Sequence, residues 1–172
     1  RSRCRRLELH PLAPTTIADA LGRHDVDAGD VALAAALSDG SLRQAAVLGA
    51  GEGIALYRDL SRLLAGLPRL DVAAAHALAD RIAGRGNDDA WTAFSDLLGG
   101  WLNRRVRGEP EPEGGTPPGA EVTAASLATW AAAWDKLSTS TQEADDLNLD
   151  RKRTVLANLM ALARANRPSR LP

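Results

Sequence analysis

Three stretches of this chain bring together residue types that chemistry can use. The first is the opening "RSRCRRLELHPL", which sets Cys4, the only cysteine, among Arg1, Arg3, Arg5 and Arg6. Nearby guanidinium charges stabilise a thiolate, so an exposed thiol here would be nucleophilic. A thiol enzyme also needs a histidine partner and a group to orient it; no such set is evident, which favours a bystander thiol. The second is "HDVDAGD", gathering His24, Asp25, Asp27 and Asp30. It offers oxygens to a hard cation but lacks the register and closing glutamate of an EF-hand loop. A turn followed by a helix cap, with Asp30 as the cap, is the better reading. The third is "GAGEG", Gly49 to Gly53, which has no preceding strand and no lysine to hold a phosphate. It reads as a hinge between helical units.

Other candidates carry less. His10, His24 and His76 have no ligand spacing, so no metal site is expected. Asp88–Asp89 and Asp145–Asp146 are adjacent pairs, and neighbours on a helix do not face one another. The first pair suits the positive end of a helix dipole and the second a solvated face. No GxxxxGK[ST] loop and no nucleophile elbow occur. The chain by itself is expected to catalyse nothing and to hold no cofactor.

These residues must be positioned by helices. Of 172 residues, 45% are hydrophobic but only 3% aromatic, so Ala, Leu and Val carry the burial. Ala and Leu favour helix, and the residues that sheets prefer are scarce, which predicts an all-α protein. A formal net charge of −1 excludes a chain that is basic throughout and wraps nucleic acid by charge alone. The charge is uneven: Arg151, Lys152, Arg153, Arg164, Arg167 and Arg170 load the end, while Glu109, Glu111, Glu113 and Glu121 make the middle acidic. That basic end can be a solvated helix face, a DNA-binding face or a subunit contact. One cysteine, no signal peptide and no apolar run near the roughly 20 residues of a membrane span make a soluble, cytoplasmic protein the expectation.

Along the chain, "RRLELHPL" alternates like a strand up to Pro11, and a lone strand needs neighbours. Together with Arg1 at the start, this predicts a piece of a longer protein. Thr15 or Thr16 can cap a short helix to Leu21, "VALAAAL" forms a second, and Ser41 caps a third, "LRQAAVL". Longer helices follow. One carries Leu56, Leu60, Leu63, Leu64 and Leu67; the next, capped by Asp71, buries Val72, Ala75, Ala79 and Ile82. Trp91, Phe94, Leu98 and Trp101 step along another. "GEPEPEGGTPPG" should be a flexible loop that buries nothing. Leu127, Trp130, Trp134 and Leu137 line one further face, and a last helix runs from about Asp150 to Ala165. The four tryptophans, at helical spacing, read as core rather than as platforms for bases.

Two motifs then acquire meaning together. "SRC", Ser2-Arg3-Cys4, resembles the Ser-Arg-Cys motif of bacterial clamp-loader subunits in the AAA+ family. "GSLRQA", Gly40 to Ala45, resembles their sensor-2 helix. "GLPRLDVAAAHALADRIAGRG" and "LNLDRKRTVLANL" are similar to the collar domain of the δ′ type. The resemblance spans nearly the whole chain. It implies residues 1–11 as a remnant of the AAA+ core, 12–52 as a three-helix lid, and 53–172 as a helical-bundle collar with a flexible loop at 107–120. It further implies Arg3 as an arginine finger reaching a neighbouring subunit's ATP site, and Arg43 as the sensor-2 arginine. A guanidinium suits such roles because its planar, permanently charged fork meets phosphate oxygens. ATP and Mg would belong to the parent complex. The implied partners are the γ/τ and δ subunits of a hetero-pentamer, with the sliding clamp and primed DNA reached through that complex at the bacterial replisome. Trp130, Trp134 and Arg151–Arg153 are the candidate collar contacts. A γ/τ-type subunit, a helical DNA-binding regulator and a generic helical scaffold are the competing readings.

Overall fold

The computed structural model describes residues 8, 10–23, 27–84, 86–113 and 124–167. The Ser2-Arg3-Cys4 motif, most of the expected strand, and His24 and Asp25 lie outside the described residues. The protein is all-α, with eight helices and no strand among the described residues. They are α1 (Pro14–Leu21), α2 (Ala28–Leu37), α3 (Leu42–Gly49), α4 (Gly53–Ala65), α5 (Val72–Ile82), α6 (Asp88–Arg107), α7 (Ala124–Asp146) and α8 (Arg151–Ala165).

Local chemistry sets most of the helix starts. Ser41 Oγ accepts from Gln44 N at 3.3 Å, Asp71 Oδ1 from Ala74 N at 3.0 Å, and Asp150 Oδ1 from Arg153 N at 3.2 Å. Each satisfies an amide that the first turn leaves free. Two expected caps are displaced. α1 begins at Pro14, whose fixed φ and missing N–H suit the first helical position, so Thr15 and Thr16 lie inside the helix. α2 is capped by Asp27, which accepts from Gly29 N at 2.9 Å. Asp30 instead sits in the first turn and pairs with Arg58 of α4 at 3.1 Å.

α1, α2 and α3 pack on one another around Ile17, Leu21, Ala34, Ala45 and Leu48. α4 packs against α2 and α3 on one side and against α5 and α6 on the other. α8 closes the bundle on α5 and α7, and α7 also lies on α6. One apolar core runs through all eight helices, with Phe94, Leu60, Leu98 and Leu159 each between 0% and 2% exposed. The α6 stripe Trp91, Phe94, Leu98 and Trp101 is buried as the periodicity predicts.

Two glycines hold the joints. Gly40 has φ +83°, and a Cβ there would sit 2.4 Å from Pro11 Cβ. The incoming chain lies against this turn, with Leu12 N donating to Gly40 O at 3.0 Å. At the expected hinge α3 ends on Gly49 and α4 starts on Gly53, where a Cβ would meet Leu48 O at 2.5 Å. The "GAGEG" stretch is thus a tight corner as well as a break.

Three expectations need correction. Val72 is 56% exposed; the buried stripe of α5 is Ala75, Leu78, Ala79 and Ile82. Leu127 and Trp134 are 47% and 44% exposed, so the predicted α7 face is buried only at Trp130 and Leu137. Residues 109–113 do not run free. Glu111 pairs with Arg104 at 3.0 Å with both side chains nearly buried, and Glu113 pairs with Arg58 at 3.1 Å. A carboxylate placed beside a guanidinium on the helix it has just left folds this acidic loop back onto the bundle.

Candidate functional site

Of the two residues singled out for nucleotide work, Arg3 lies outside the described residues. Arg43 is the second residue of α3, one position after the helix start that Ser41 caps. It is exposed and makes no ion pair among the described residues. Its charge acts on Asp96 of α6. Crowding by the flanking helices pushes the Asp96 carboxyl above its ordinary value, and the Arg43 charge opposes that rise.

The collar candidates separate into two kinds. Trp130 is buried, with its ring 6.1 Å from that of Trp101 and tilted by 58°. The Arg105 guanidinium lies 5.6 Å above it. Arg105 is itself buried, and loss of water lowers its pKa from the ordinary guanidinium value. Trp130 is therefore floor rather than contact. Trp134, one turn later, is the exposed aromatic of α7.

Trp134 stands between two depressions along the α6–α7 seam. One, of about 250 Å³, is mostly apolar, lined by Leu102, Val106, Leu127, Trp130 and Trp134, with Asn103 and Asp135 as its polar members. The other, of about 460 Å³, runs on past Leu98, Gly99 and Leu137 to the polar Gln142 and Asp145. The Trp134 ring lies over Gly99, where a Cβ would meet it at an ordinary van der Waals distance of 3.9 Å. Val106, Leu127 and Trp134 are all more than a third exposed. A contiguous apolar strip with a central aromatic and a polar end is the composition of a protein contact surface.

The basic stretch at the start of α8 is mostly used within the chain. Arg151 pairs with Asp88 at 2.6 Å and lies 5.4 Å over the Trp91 ring. Trp91 Nε1 in turn donates to Asp145 Oδ1 at 2.7 Å. These four residues latch the ends of α6, α7 and α8 together. Lys152 pairs with Asp80 of α5 at 2.5 Å. Arg153 alone of the three makes no ion pair among the described residues. Asp88 lies in the first turn of α6 and Asp145 is exposed, as the sequence reading expects, and both also serve as latch partners.

Sequence reasoning missed the Arg104, Arg105 and Glu111 group. A signal was present, because 105 continues the 94, 98, 101 stripe and so falls on the inner face of α6. The buried Tyr57 of α4 belongs to the same neighbourhood. Desolvation raises its pKa above the ordinary 10.0, while a hydrogen bond with Ser61 works the other way.

Among the described residues no three His, Cys, Asp or Glu side chains group to hold a metal ion. No described helix is long and apolar enough to cross a membrane. Comparison with protein-family models, with curated proteins and with solved structures finds no match to this chain.

Proposed function

We propose that this chain is the lid and collar of a clamp-loader subunit of the δ′ type, from a bacterial DNA polymerase III holoenzyme, and that it serves subunit assembly. The observation that carries the reading is the placement of "GSLRQA". It forms the turn and first residues of α3, the last helix of a three-helix unit, and a larger helical bundle follows directly. In this reading residues 12–52 are the lid and 53–172 the collar, and the work is done in the cytoplasm at the replisome.

Arg43 would then approach the nucleotide from the lid. Its exposure and its lack of an ion-pair partner leave the guanidinium available for that. Arg3 would serve the ATP site of a neighbouring subunit. In this reading ATP and Mg belong to the parent complex. The exposed seam around Trp134 supplies the assembly face. The internal pairing of Arg151 and Lys152 weighs against α8 as a DNA recognition helix, because both cations are already neutralised by partners in the bundle.

Native mass spectrometry of the chain mixed with γ/τ and δ subunits from its own source tests the proposal. Incorporation into a defined hetero-oligomer is the expected result. A chain that is folded by circular dichroism, yet joins none of these subunits even within its full-length parent, would overturn it. In that parent, Arg3→Ala should leave assembly intact and depress ATP turnover at the neighbouring site. Unchanged turnover would remove the finger assignment.

A further inference from the structure

Away from the α6–α7 seam, a cleft of about 450 Å³ opens between the second half of α4 and α5, running from Asp71 at the α5 cap to Arg81 in its last turn. Three arginines line it, Arg62, Arg69 and Arg81, together with the carboxylates Asp59 and Asp71. Asp71 is engaged as the α5 cap, accepting from Ala74 N. Asp59 is shared: it takes Arg81 at 2.7 Å and also pairs with Arg62. Arg69 makes no ion pair among the described residues. Arg81 Nη2 is buried without a hydrogen-bond partner among them. The cleft thus holds one guanidinium more than its carboxylates neutralise, and a stranded donor beside it. The positive end of the α5 dipole borders the same space, since Asp71 and Ala74 are both in its wall.

We infer that this α4–α5 cleft binds a phosphate group, held by Arg62, Arg69 and Arg81. A carboxylate offers two oxygens in one plane, and in Asp59 both are already taken, one by Arg62 and one by Arg81. A phosphate has several oxygens arranged tetrahedrally, so forks converging from different directions can each be met. Asp59 already sits between two of the forks and marks where negative charge is stabilised. The phosphate completes the set by taking Arg69 and the free edge of Arg62, which is 78% exposed. Exposure at the mouth admits either a small phosphorylated molecule or a backbone phosphate of nucleic acid. The chemistry of recognition is the same for both. The cleft lies on other helices than the seam and does not depend on the assembly reading.

The test is an amide-resolved NMR titration of the whole chain with inorganic phosphate, against sodium chloride at matched ionic strength. Saturable shifts confined to the end of α4, residues 69–74 and the last turn of α5 around Arg81, produced by phosphate and not by chloride, are expected. Arg69→Glu, at an exposed position with no partner, should weaken binding by about tenfold or more. Arg23→Glu, on the exposed end of α1, should leave it unchanged. Parallel titrations with a short single-stranded oligonucleotide and with a mononucleotide identify the source. Tighter, salt-sensitive binding of the oligonucleotide assigns a nucleic-acid backbone, and equal or tighter binding of the mononucleotide assigns a small ligand. Shifts that do not saturate, that chloride reproduces, or that survive Arg69→Glu would overturn the inference.

Discussion

Arg104 and Glu111 are seven positions apart in sequence and meet at 3.0 Å with side chains only 10% and 13% exposed. Removing one partner of so occluded a pair leaves the other charge without water or counter-charge. Glu111→Ala is therefore expected to lower stability by about 2–3 kcal/mol in urea unfolding. The exposed Arg58–Glu113 pair offers a contrast, and its loss should be barely measurable. Tyr57 makes a prediction about pH. Its phenol is harder to ionise in the folded chain than in the unfolded one, chiefly because it is desolvated. The unfolded state therefore loses this proton first as pH rises through 10.0, and stability falls from there upward. Tyr57→Phe should flatten that alkaline loss; an unchanged slope would show that the phenol does not contribute to it. None of these residues stood out in the sequence. An arginine at the end of an amphipathic helix and a glutamate in a Pro/Gly-rich loop each read as solvated, and only the chain's return past Gly108 brings them together.

The elements themselves were largely legible. Alternation of small apolar residues with polar ones at helical spacing, broken by Gly, Pro and capping side chains, located the starts given by Ser41, Asp71 and Asp150. The misplaced starts share a cause. Where several candidate caps stood close together, a residue just upstream took the start: Pro14, with its fixed φ, for α1, and Asp27, whose carboxylate accepts from Gly29 N, for α2. The exposed Val72 has a similar origin. It is the first residue of α5, where the helix has not yet turned its stripe onto α8. Joints were less legible than helices, because a glycine that must be glycine looks like one that need not be. Gly40 is of the first kind, with positive φ and Pro11 packed where a Cβ would go. Gly40→Ala should cost about 2 kcal/mol or more and shift the start of α3, which thermal unfolding and NMR can read. If the variant is as stable as the parent sequence, the close packing of residues 11–12 on this turn is wrong.

At the scale of the whole molecule, one core spans the eight helices and leaves one long apolar strip uncovered, along the α6–α7 seam. The candidate surface was half visible in sequence. Trp130 and Trp134 fall on one predicted face, but which of them is floor and which is exposed depends on the depth to which α7 settles on α6. Trp130 packs at a tilt against Trp101 and lies beneath Arg105, while Trp134 rests over Gly99. Trp134→Glu should cost only about 1 kcal/mol of stability and yet remove the chain from a clamp-loader assembly, because it places a charge in the middle of the strip. The most direct measurement is hydrogen–deuterium exchange of the chain alone and in the presence of γ/τ and δ subunits. The account predicts new protection in residues 102–106 and 127–137, with α8 little changed. Protection confined to α8, or none anywhere in the seam, would contradict it.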